Sequence, residues 1–305
     1  MFSFLSKRFL QALLVLLGVS FATFIVGHLT GDPVELMARE NATEQDKQDL
    51  RVYLGLDRPL EQQYFSFIVK AVQGDLGFSF VQQAKVSQLI AERLPATLQL
   101  AAAGFLLALA ISIPLGIIIA LNRGTIWDFL VTTLAMAGQA APGFWIGLML
   151  VVLFAVHLKV LPVSGYGGAA YIVLPAITLA LQSSARLTRL VRASMLEVLS
   201  ADYIRTAHSK GLRERVVLFV HAFRGAMIPV VTMAGLELAE LVSGAFITET
   251  IFAWPGIGRL AVTAVSQRDF PVIQGVVLMS AAFFVLINFL VDVLYVVIDP
   301  RVKLK

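Results

Sequence analysis

Six long apolar runs, separated by more polar connections, dominate the chain. Each run is uncharged or nearly so and reaches the roughly 20 residues that a helix needs to cross a bilayer. The runs cover residues 9–31, 94–122, 129–158, 160–185, 225–250 and 270–291. The pattern predicts an all-α, polytopic membrane protein with six transmembrane helices and with both termini on the same side.

Composition supports membrane insertion and excludes several kinds of chemistry. Of the 305 residues, 58% are hydrophobic and 14% are charged, a balance that a water-soluble domain of this size does not show. The first run is long and no small-residue cleavage site follows it, so we expect it to be a retained helix rather than a signal peptide. The absence of cysteine excludes disulfides, thiolate metal sites and thiol catalysis. None of the four histidines stands at metal-ligand spacing with another ligand.

The segment between the first two runs differs from the rest of the chain. Residues 32–93 contain ten acidic and seven basic side chains, which predicts a water-exposed insertion of short helices and turns. We therefore divide the chain at residue 93. Residues 1–93 hold the first transmembrane helix, at about 9–31, and the insertion. Residues 94–305 form the main transmembrane domain, which includes a connecting loop at 200–224.

The distribution of basic residues predicts the orientation. Fourteen of the 24 lysines and arginines fall on the side that holds both termini and the loop 200–224. Seven of the other ten lie in the long insertion, where the positive-inside bias is weak. We expect both termini and the loop 200–224 to be cytoplasmic and the insertion to lie outside.

The loop 200–224 contains a short segment with its own start and stop signals. Asp202 stands where a helix begins, and Lys210 and Gly211 stand where it ends, so the charges complement the helix dipole and glycine supplies a left-handed cap. The apolar side chains fall on one side at helical spacing: Tyr203, Ile204 and Ala207. Such a helix is amphipathic and too short to cross a bilayer, which indicates a handle for a soluble partner. A plain connector is the alternative interpretation.

Prolines and aromatic residues mark two further features. Pro114, Pro142 and Pro175 lie inside apolar runs, where they either kink helices for packing or open a central cavity between helices that rock. Phe252 and Trp254, followed by a Pro-Gly turn, are typical of an aromatic belt at the membrane surface.

Several motifs carry a family resemblance. The pattern D-Y-I-R-T-A-x-x-K-G-L at 202–212, followed by R-x-A-M-I-P-V-V, resembles the cytoplasmic coupling loop, or EAA loop, of the membrane subunits of ABC importers. More narrowly, the chain resembles the permeases for dipeptides, oligopeptides, glutathione and nickel. Further matching motifs are E-T-x-F-x-W-P-G-x-G-R-L from 249, R-D-x-P-V-x-Q-G from 268, and shorter ones at 31–33, 54–60, 74–79, 288–295 and 299–301. Together they cover nearly the whole chain.

This resemblance implies an architecture and a set of partners. The fold would be the type I ABC importer transmembrane fold, in the bacterial cytoplasmic (inner) membrane. The chain would pair with a second, related permease, most often as a heterodimer, and two cytoplasmic ATPases would use ATP and Mg. An extracytoplasmic binding protein would deliver the solute, and no nucleic acid or cofactor would bind this chain. The resemblance assigns contact with the ATPase to eight residues of the loop: Asp202, Tyr203, Arg205, Thr206, Ala207, Lys210, Gly211 and Leu212.

The function that follows is transport rather than catalysis. No Gly-x-x-x-x-Gly-Lys-Ser/Thr phosphate loop occurs in the chain, so it is not the ATPase itself. Peptides are the commonest cargo of this family, and glutathione, a nickel complex or another small organic solute are alternatives. Two other classes compete with this interpretation, a secondary transporter or channel that works without an ATPase and an intramembrane enzyme. Co-purification with an ATPase would separate the importer from both.

Two acidic residues interrupt the fifth run. Glu237 and Glu240 are three residues apart and share a helix face, and a charge at membrane depth costs a few kcal/mol unless it meets water or a partner. Related permeases usually have an uncharged residue at the position of Glu237. One hypothesis is that one or both glutamates line the translocation pathway and attract a cationic group. The other is that they are protonated, or bonded to the partner subunit, and serve assembly.

Overall fold

The computed structural model describes residues 2–29, 34 and 43–298, and this part of the chain is helical apart from turns and one short hairpin. The fold is all-α, as predicted. The helices are α1 (Phe2–Leu29), α2 (Glu44–Leu54), α3 (Leu60–Val72), α4 (Val86–Leu121), α5 (Ile126–Ala140), α6 (Gly143–Leu150), α7 (Ala169–Leu199), α8 (Asp202–Ser209), α9 (Glu214–Val216), α10 (Phe223–Gly244), α11 (Phe246–Ile251), α12 (Ile257–Gln267) and α13 (Phe270–Ile298). Strands β1 (Phe78–Ser79) and β2 (Ala84–Lys85) form the antiparallel hairpin.

In the part of the chain that the structure describes, five unbroken helical segments are long and apolar enough to cross a membrane. They are Ser6–Gly27, Val86–Leu121, Ala169–Leu199, Glu214–Ser243 and Phe270–Leu294. The remaining predicted run is split into Ile126–Ala140 and Gly143–His157, which meet at an angle of 104°. Pro142 stands at the break, where it lacks an N–H for the preceding helix and restricts the residue before it. The six predicted spans are thus five continuous helices and one broken pair.

The fourth predicted span is displaced in the structure. Residues 160–168 are not helical, and α7 runs from Ala169 to Leu199, well beyond the predicted end at residue 185. Arg186, Arg189 and Arg192 therefore lie inside α7 and not in the following connection. The prediction ended the span at its first charge. A helix of 31 residues is about 46 Å long, against about 30 Å for the hydrocarbon core, so it keeps its form beyond the apolar stretch.

Two other boundaries also differ from the prediction. The fifth helical segment begins at Glu214 and ends near Ser243, where the prediction had residues 225–250. The second span, predicted at residues 94–122, begins earlier, at Val86 of α4. In both cases a helix starts in polar sequence before it becomes apolar, and an apolar run marks only its second part.

Helices α4 and α7 form the centre of the fold. A Cβ atom on Gly116 of α4 would lie 2.5 Å from Cβ of Val191 in α7, so the two backbones touch at this glycine. Gly104 allows a similar approach, 3.0 Å from Leu179, as expected of small residues in membrane helices. Helices α10 and α13 pack beside this pair, and α1 packs against α13.

The hairpin joins the insertion to the transmembrane helices. The Ser79 hydroxyl donates a hydrogen bond of 2.5 Å to Asp269, which precedes α13, and both side chains are buried. This contact joins two of the motifs, the one at 74–79 and the one from 268. The motifs at 31–33 and 299–301 lie outside the described residues.

Candidate functional site

The predicted short helix in the loop is present as α8. Asp202 is its first residue, Lys210 is its C-cap, and Gly211 follows with a φ of +73°. The Gly211 N–H donates to the carbonyl of His208 at 2.9 Å. The left-handed glycine cap inferred from the sequence is therefore confirmed.

The inner side of α8 is anchored to the transmembrane helices. Ile204 and Ala207 are buried in a cluster that includes Met195 of α7, together with Val217 and Ala222 before α10. A rigid connection therefore runs from α8 to two membrane-spanning segments. Movement of α8 would have to move these segments, because packed interiors deform little.

Tyr203 does not share the burial predicted for that side. Tyr203 is 49% exposed. Its hydroxyl nevertheless lies over Gly225 of α10, because a Cβ atom added to that glycine would be 2.7 Å from the hydroxyl oxygen. At helical spacing Tyr203 stands at the edge of the apolar side, and its hydroxyl contacts the bundle at Gly225.

The outer side of α8 is polar and exposed. Arg205 and Asp202 form an ion pair at 3.4 Å, with exposed side-chain fractions of 79% and 95%. Of the eight residues assigned by resemblance, seven are exposed. They are Tyr203 and six others: Asp202, Arg205, Thr206, Lys210, Gly211 and Leu212. The eighth, Ala207, belongs to the anchored side. The helix thus presents one free face while its other face is fixed.

A second group of charged residues lies within the bundle. Glu237 of α10 is 2% exposed and holds Arg186 of α7 through both oxygens, with Nε 2.6 Å from Oε1 and Nη2 donating to Oε2 at 2.7 Å. The same Nη2 lies 3.3 Å from Glu240, whose side chain is 67% exposed. The three groups carry one positive and two negative formal charges. Glu237 is already paired within the chain, whereas Glu240 is accessible.

Sequence reasoning missed Arg186, because it assigned this arginine to the connecting loop. Two further arginines of α7 also find partners, on α5. Arg192 binds Asp128 through two hydrogen bonds of 2.7 and 2.8 Å, and Arg189 donates to Gln139. The available signal was the spacing, since arginines at every third position follow one side of a helix.

The motif that begins at Glu249 forms a third polar group, which is buried. One carboxylate oxygen of Glu249 accepts from the Thr97 hydroxyl at 2.8 Å, and the other accepts from the backbone N–H of Arg259 at 3.0 Å. Thr97 in turn accepts from the N–H of Ile257 at 2.8 Å. Glu249 and Thr97 together satisfy the first N–H groups of α12. Burial raises the pKa of Glu249 above its ordinary value, although these hydrogen bonds oppose the shift.

The glycines and aromatic residues of this motif serve the same packing. A Cβ on Gly256 would collide with the Glu249 carboxylate, and one on Gly258 would lie 2.8 Å from the backbone of Phe246. Trp254 is 1% exposed and donates from Nε1 to the carbonyl of Ala96 at 2.8 Å. Phe252 is also 1% exposed. The predicted aromatic belt is therefore wrong, because α4 and the neighbouring helices cover both rings.

Among the described residues, no group of three or more histidine or acidic side chains could hold a metal ion.

Two family models together match nearly the whole chain. Residues 112–304 match the binding-protein-dependent transport system inner membrane component, and residues 1–101 match the N-terminal component of the same transport systems. The chain belongs to this family. It is a permease subunit of the ABC importer type and a multi-pass membrane protein.

Relatives along the full length support this membership. The chain is 39% identical to the dipeptide transport system permease protein DppB of Escherichia coli strain K12, over 100% of both chains. It is 42% identical to a putative peptide transport system permease protein of Brucella abortus strain 2308, over 97% of this chain and 98% of the relative. Among solved structures, an inward-facing MetNI methionine ABC transporter matches 70% of this permease and 97% of its own chain, with a TM-score of 0.58 and 16% identity. That likeness concerns the fold alone.

Proposed function

We propose that this permease forms half of the translocation pathway of an ATP-driven importer for di- or oligopeptides. The observation that carries the proposal is α8, a short helix with an exposed polar face and with its other face fixed to α7 and α10. This arrangement suits a helix that a cytoplasmic ATPase holds and moves. The chain has no phosphate-binding loop of its own, so ATP and Mg would act in the partner subunits.

The proposed assembly has four kinds of component in the inner membrane of a bacterium. A second, related permease completes the pathway, two ATPases bind the α8 helices, and a binding protein delivers the solute on the opposite side. Support for peptides as the solute comes from the full-length relatives, which are named as peptide permeases. The alternative solutes are glutathione, nickel complexes and other small organic molecules, and a transport assay can compare them with peptides.

The orientation of the chain is part of the proposal. Basic residues around α8 and the start of α10 favour a cytoplasmic position for this end of the bundle, with α2 and the hairpin outside. The chain lacks cysteine, so single cysteines at Gln48 in α2 and Ser209 in α8 report on the two sides. An impermeant thiol reagent should label Gln48→Cys in intact cells and should leave Ser209→Cys unlabelled. The reverse pattern would contradict the orientation.

Reconstitution tests the transport function directly. The permease pair, the ATPases and the binding protein are placed in proteoliposomes, and uptake of dipeptides, longer peptides, glutathione and a nickel complex is measured. Peptide uptake that requires ATP would support the proposal. Uptake without ATP would indicate a secondary transporter or channel, and ATP-dependent uptake of another solute alone would reject the peptide assignment.

The acidic residues of α10 have separate proposed roles. Glu237 neutralises Arg186 at a buried position, and Glu240 leaves a net negative charge on an accessible surface at membrane depth. We assign to Glu240 the attraction of a cationic group of the solute, such as the amino terminus of a peptide. Substitution of Glu237 removes the buried one of the two charge partners of Arg186 and leaves Glu240. Loss of a partner at a buried site costs up to about 3–5 kcal/mol, so this substitution also affects folding.

Glu240→Gln is consequently the sharper test of the pathway role. The exposed side chain should be replaceable without loss of assembly, and uptake of cationic peptides should fall more than uptake of acidic ones. Glu237→Gln is the matched variant, expected to lower the amount of folded subunit. Equal transport of both peptide classes by the Glu240→Gln importer would defeat the pathway role.

A further inference from the structure

One side of α3 packs against the C-terminal half of α1. The Tyr64 hydroxyl lies 2.9 Å from Oγ of Ser20 in a hydrogen bond, and its ring contacts Phe21 and Phe24 with centroid distances of 5.5 and 5.4 Å. Phe67, one helical turn after Tyr64, lies 6.1 Å from Phe24. Two turns of α3 therefore rest on α1.

These contacts bring α3 beside the apolar span of α1. All three α1 residues belong to the apolar span Ser6–Gly27. Ser20 precedes Gly27 by about two turns, or about 10 Å at about 1.5 Å per residue. A helix that touches the span at this depth lies alongside it and not above it. The neighbouring surface of α1 is apolar and exposed as well, since Leu17 and Phe21 are 39% and 53% exposed.

The opposite side of α3 exposes large apolar side chains. Phe65, Val69 and Val72 are 71%, 39% and 83% exposed, and their spacing places them along one stripe. The charged residues of this helix stand near its two ends, Glu61 in the first turn and Lys70 in the last. An apolar stripe between polar ends is unsuited to water and typical of a helix that lies in a membrane interface.

We propose that α3 is a membrane-embedded interfacial helix, whose Phe65–Val72 side contacts lipid acyl chains in the half of the bilayer that the Gly27 end of α1 enters. A helix satisfies its own backbone hydrogen bonds, so it tolerates this position. Lys70 can bury its aliphatic stem and extend its ammonium group towards the headgroups. Lipid is the occupant because the stripe continues the apolar surface of α1 at the same depth. The insertion is then not the wholly water-exposed segment that its charge balance predicted.

The consequence concerns the hairpin that follows. Helix α3 leads within a few residues to β1, where Ser79 is bonded to Asp269 before α13. An embedded α3 would hold the N-terminal side of this hairpin at a fixed height relative to the membrane surface. The hydrogen bond from Ser79 to Asp269 holds the hairpin itself against the start of α13. The inference is independent of which solute the importer carries.

Spin labels on the cysteine-free chain test the proposal. Single cysteines at Phe65, Val69 and Val72 carry a nitroxide in the complete importer, reconstituted in lipid nanodiscs. Collision rates are measured with oxygen, which partitions into lipid, and with a water-soluble nickel chelate. Glu61→Cys on the same helix and Gln48→Cys in α2 are the matched aqueous controls.

The expected result is oxygen collision above nickel-chelate collision at all three apolar positions, and the opposite order at Glu61 and Gln48. Dominant collision with the nickel chelate at Phe65, Val69 and Val72 would show that water covers the stripe and would overturn the proposal. Low collision with both reagents would show a protein partner there and would overturn it equally. Because the labelled side chains are exposed, folding should be preserved, and binding of the ATPases to each labelled importer checks this.

Discussion

Two segments that resemble family motifs, residues 202–212 and residues 249–259, have opposite surroundings. In the first, the polar side chains are exposed, and Gly211 is required only for its φ of +73°, with no atom within 4 Å of an added Cβ. In the second, Glu249 and Trp254 are fully buried, and Gly256 and Gly258 are required because neighbouring atoms fill the space of a Cβ. A family motif can therefore serve either a partner or the fold of its own chain, and exposure separates the two cases.

This difference predicts how each segment responds to substitution. Changes in residues 249–259 should lower the stability of the isolated permease. Changes in residues 202–212 should leave stability nearly unchanged and should act on the assembled importer.

The largest effect is expected for Gly258→Ala. The new Cβ would press against the backbone of Phe246 and the Glu249 carboxylate, and overpacking of this kind costs about 1–3 kcal/mol. Thermal unfolding of the purified permease in detergent measures the loss. Gly18→Ala in α1 is the control, since nothing lies within 4 Å of its added Cβ. Equal stability of the two variants would remove the argument for a packed 249–259 segment.

Gly211→Val should have a smaller effect on folding and a larger one on coupling. A β-branched residue at positive φ costs about 1 kcal/mol and tilts the end of α8. Membrane abundance should remain nearly unchanged, while ATP hydrolysis no longer drives uptake in proteoliposomes. Gly211→Asn tolerates the left-handed conformation and should keep more of the coupling. Normal uptake by Gly211→Val would mean that α8 is a plain connector.

The third prediction concerns pH. Burial raises the pKa of Glu249 in the folded permease, so the unfolded chain loses this proton first as pH increases. The free energy of unfolding should therefore fall as pH rises from the ordinary glutamate pKa to the raised pKa of Glu249. At pH values below both, the titration of Glu249 should not affect it. Unfolding temperatures of the wild type and Glu249→Gln, measured across this window, should converge or cross as pH rises. Parallel curves would exclude a raised pKa at this position.

The smallest effect on stability is expected for Arg205→Ala. Its ion pair with Asp202 is almost fully exposed, and such pairs contribute at most about 0.5 kcal/mol. The unfolding temperature should not change measurably. Retention of the ATPases during purification should nevertheless decrease, and an importer that purifies intact with this variant would argue against a contact at Arg205.

The sequence predicted the features that depend on residues close to one another in the chain. Apolar runs identified the spans, and the glycine after Lys210 identified the end of α8, because helix caps and periodicity involve neighbouring residues. Contacts between distant residues were not predictable in this way. Arg186 and Glu237 are 51 residues apart, and Trp254 meets the carbonyl of Ala96 across 158 residues. The burial of Trp254 and the pairing of Arg186 both follow from the packing of α4, α7 and α10, which no single segment encodes.

The central claim is that the exposed face of α8 binds the ATPase. A photoreactive amino acid at Thr206, an exposed position on this face, is the most direct probe in the complete importer. Irradiation should join this position to the ATPase subunit, and the same probe at Gln48 should not. A cross-link from Thr206 to the binding protein, or no cross-link to the ATPase in an importer that remains intact, would contradict the account.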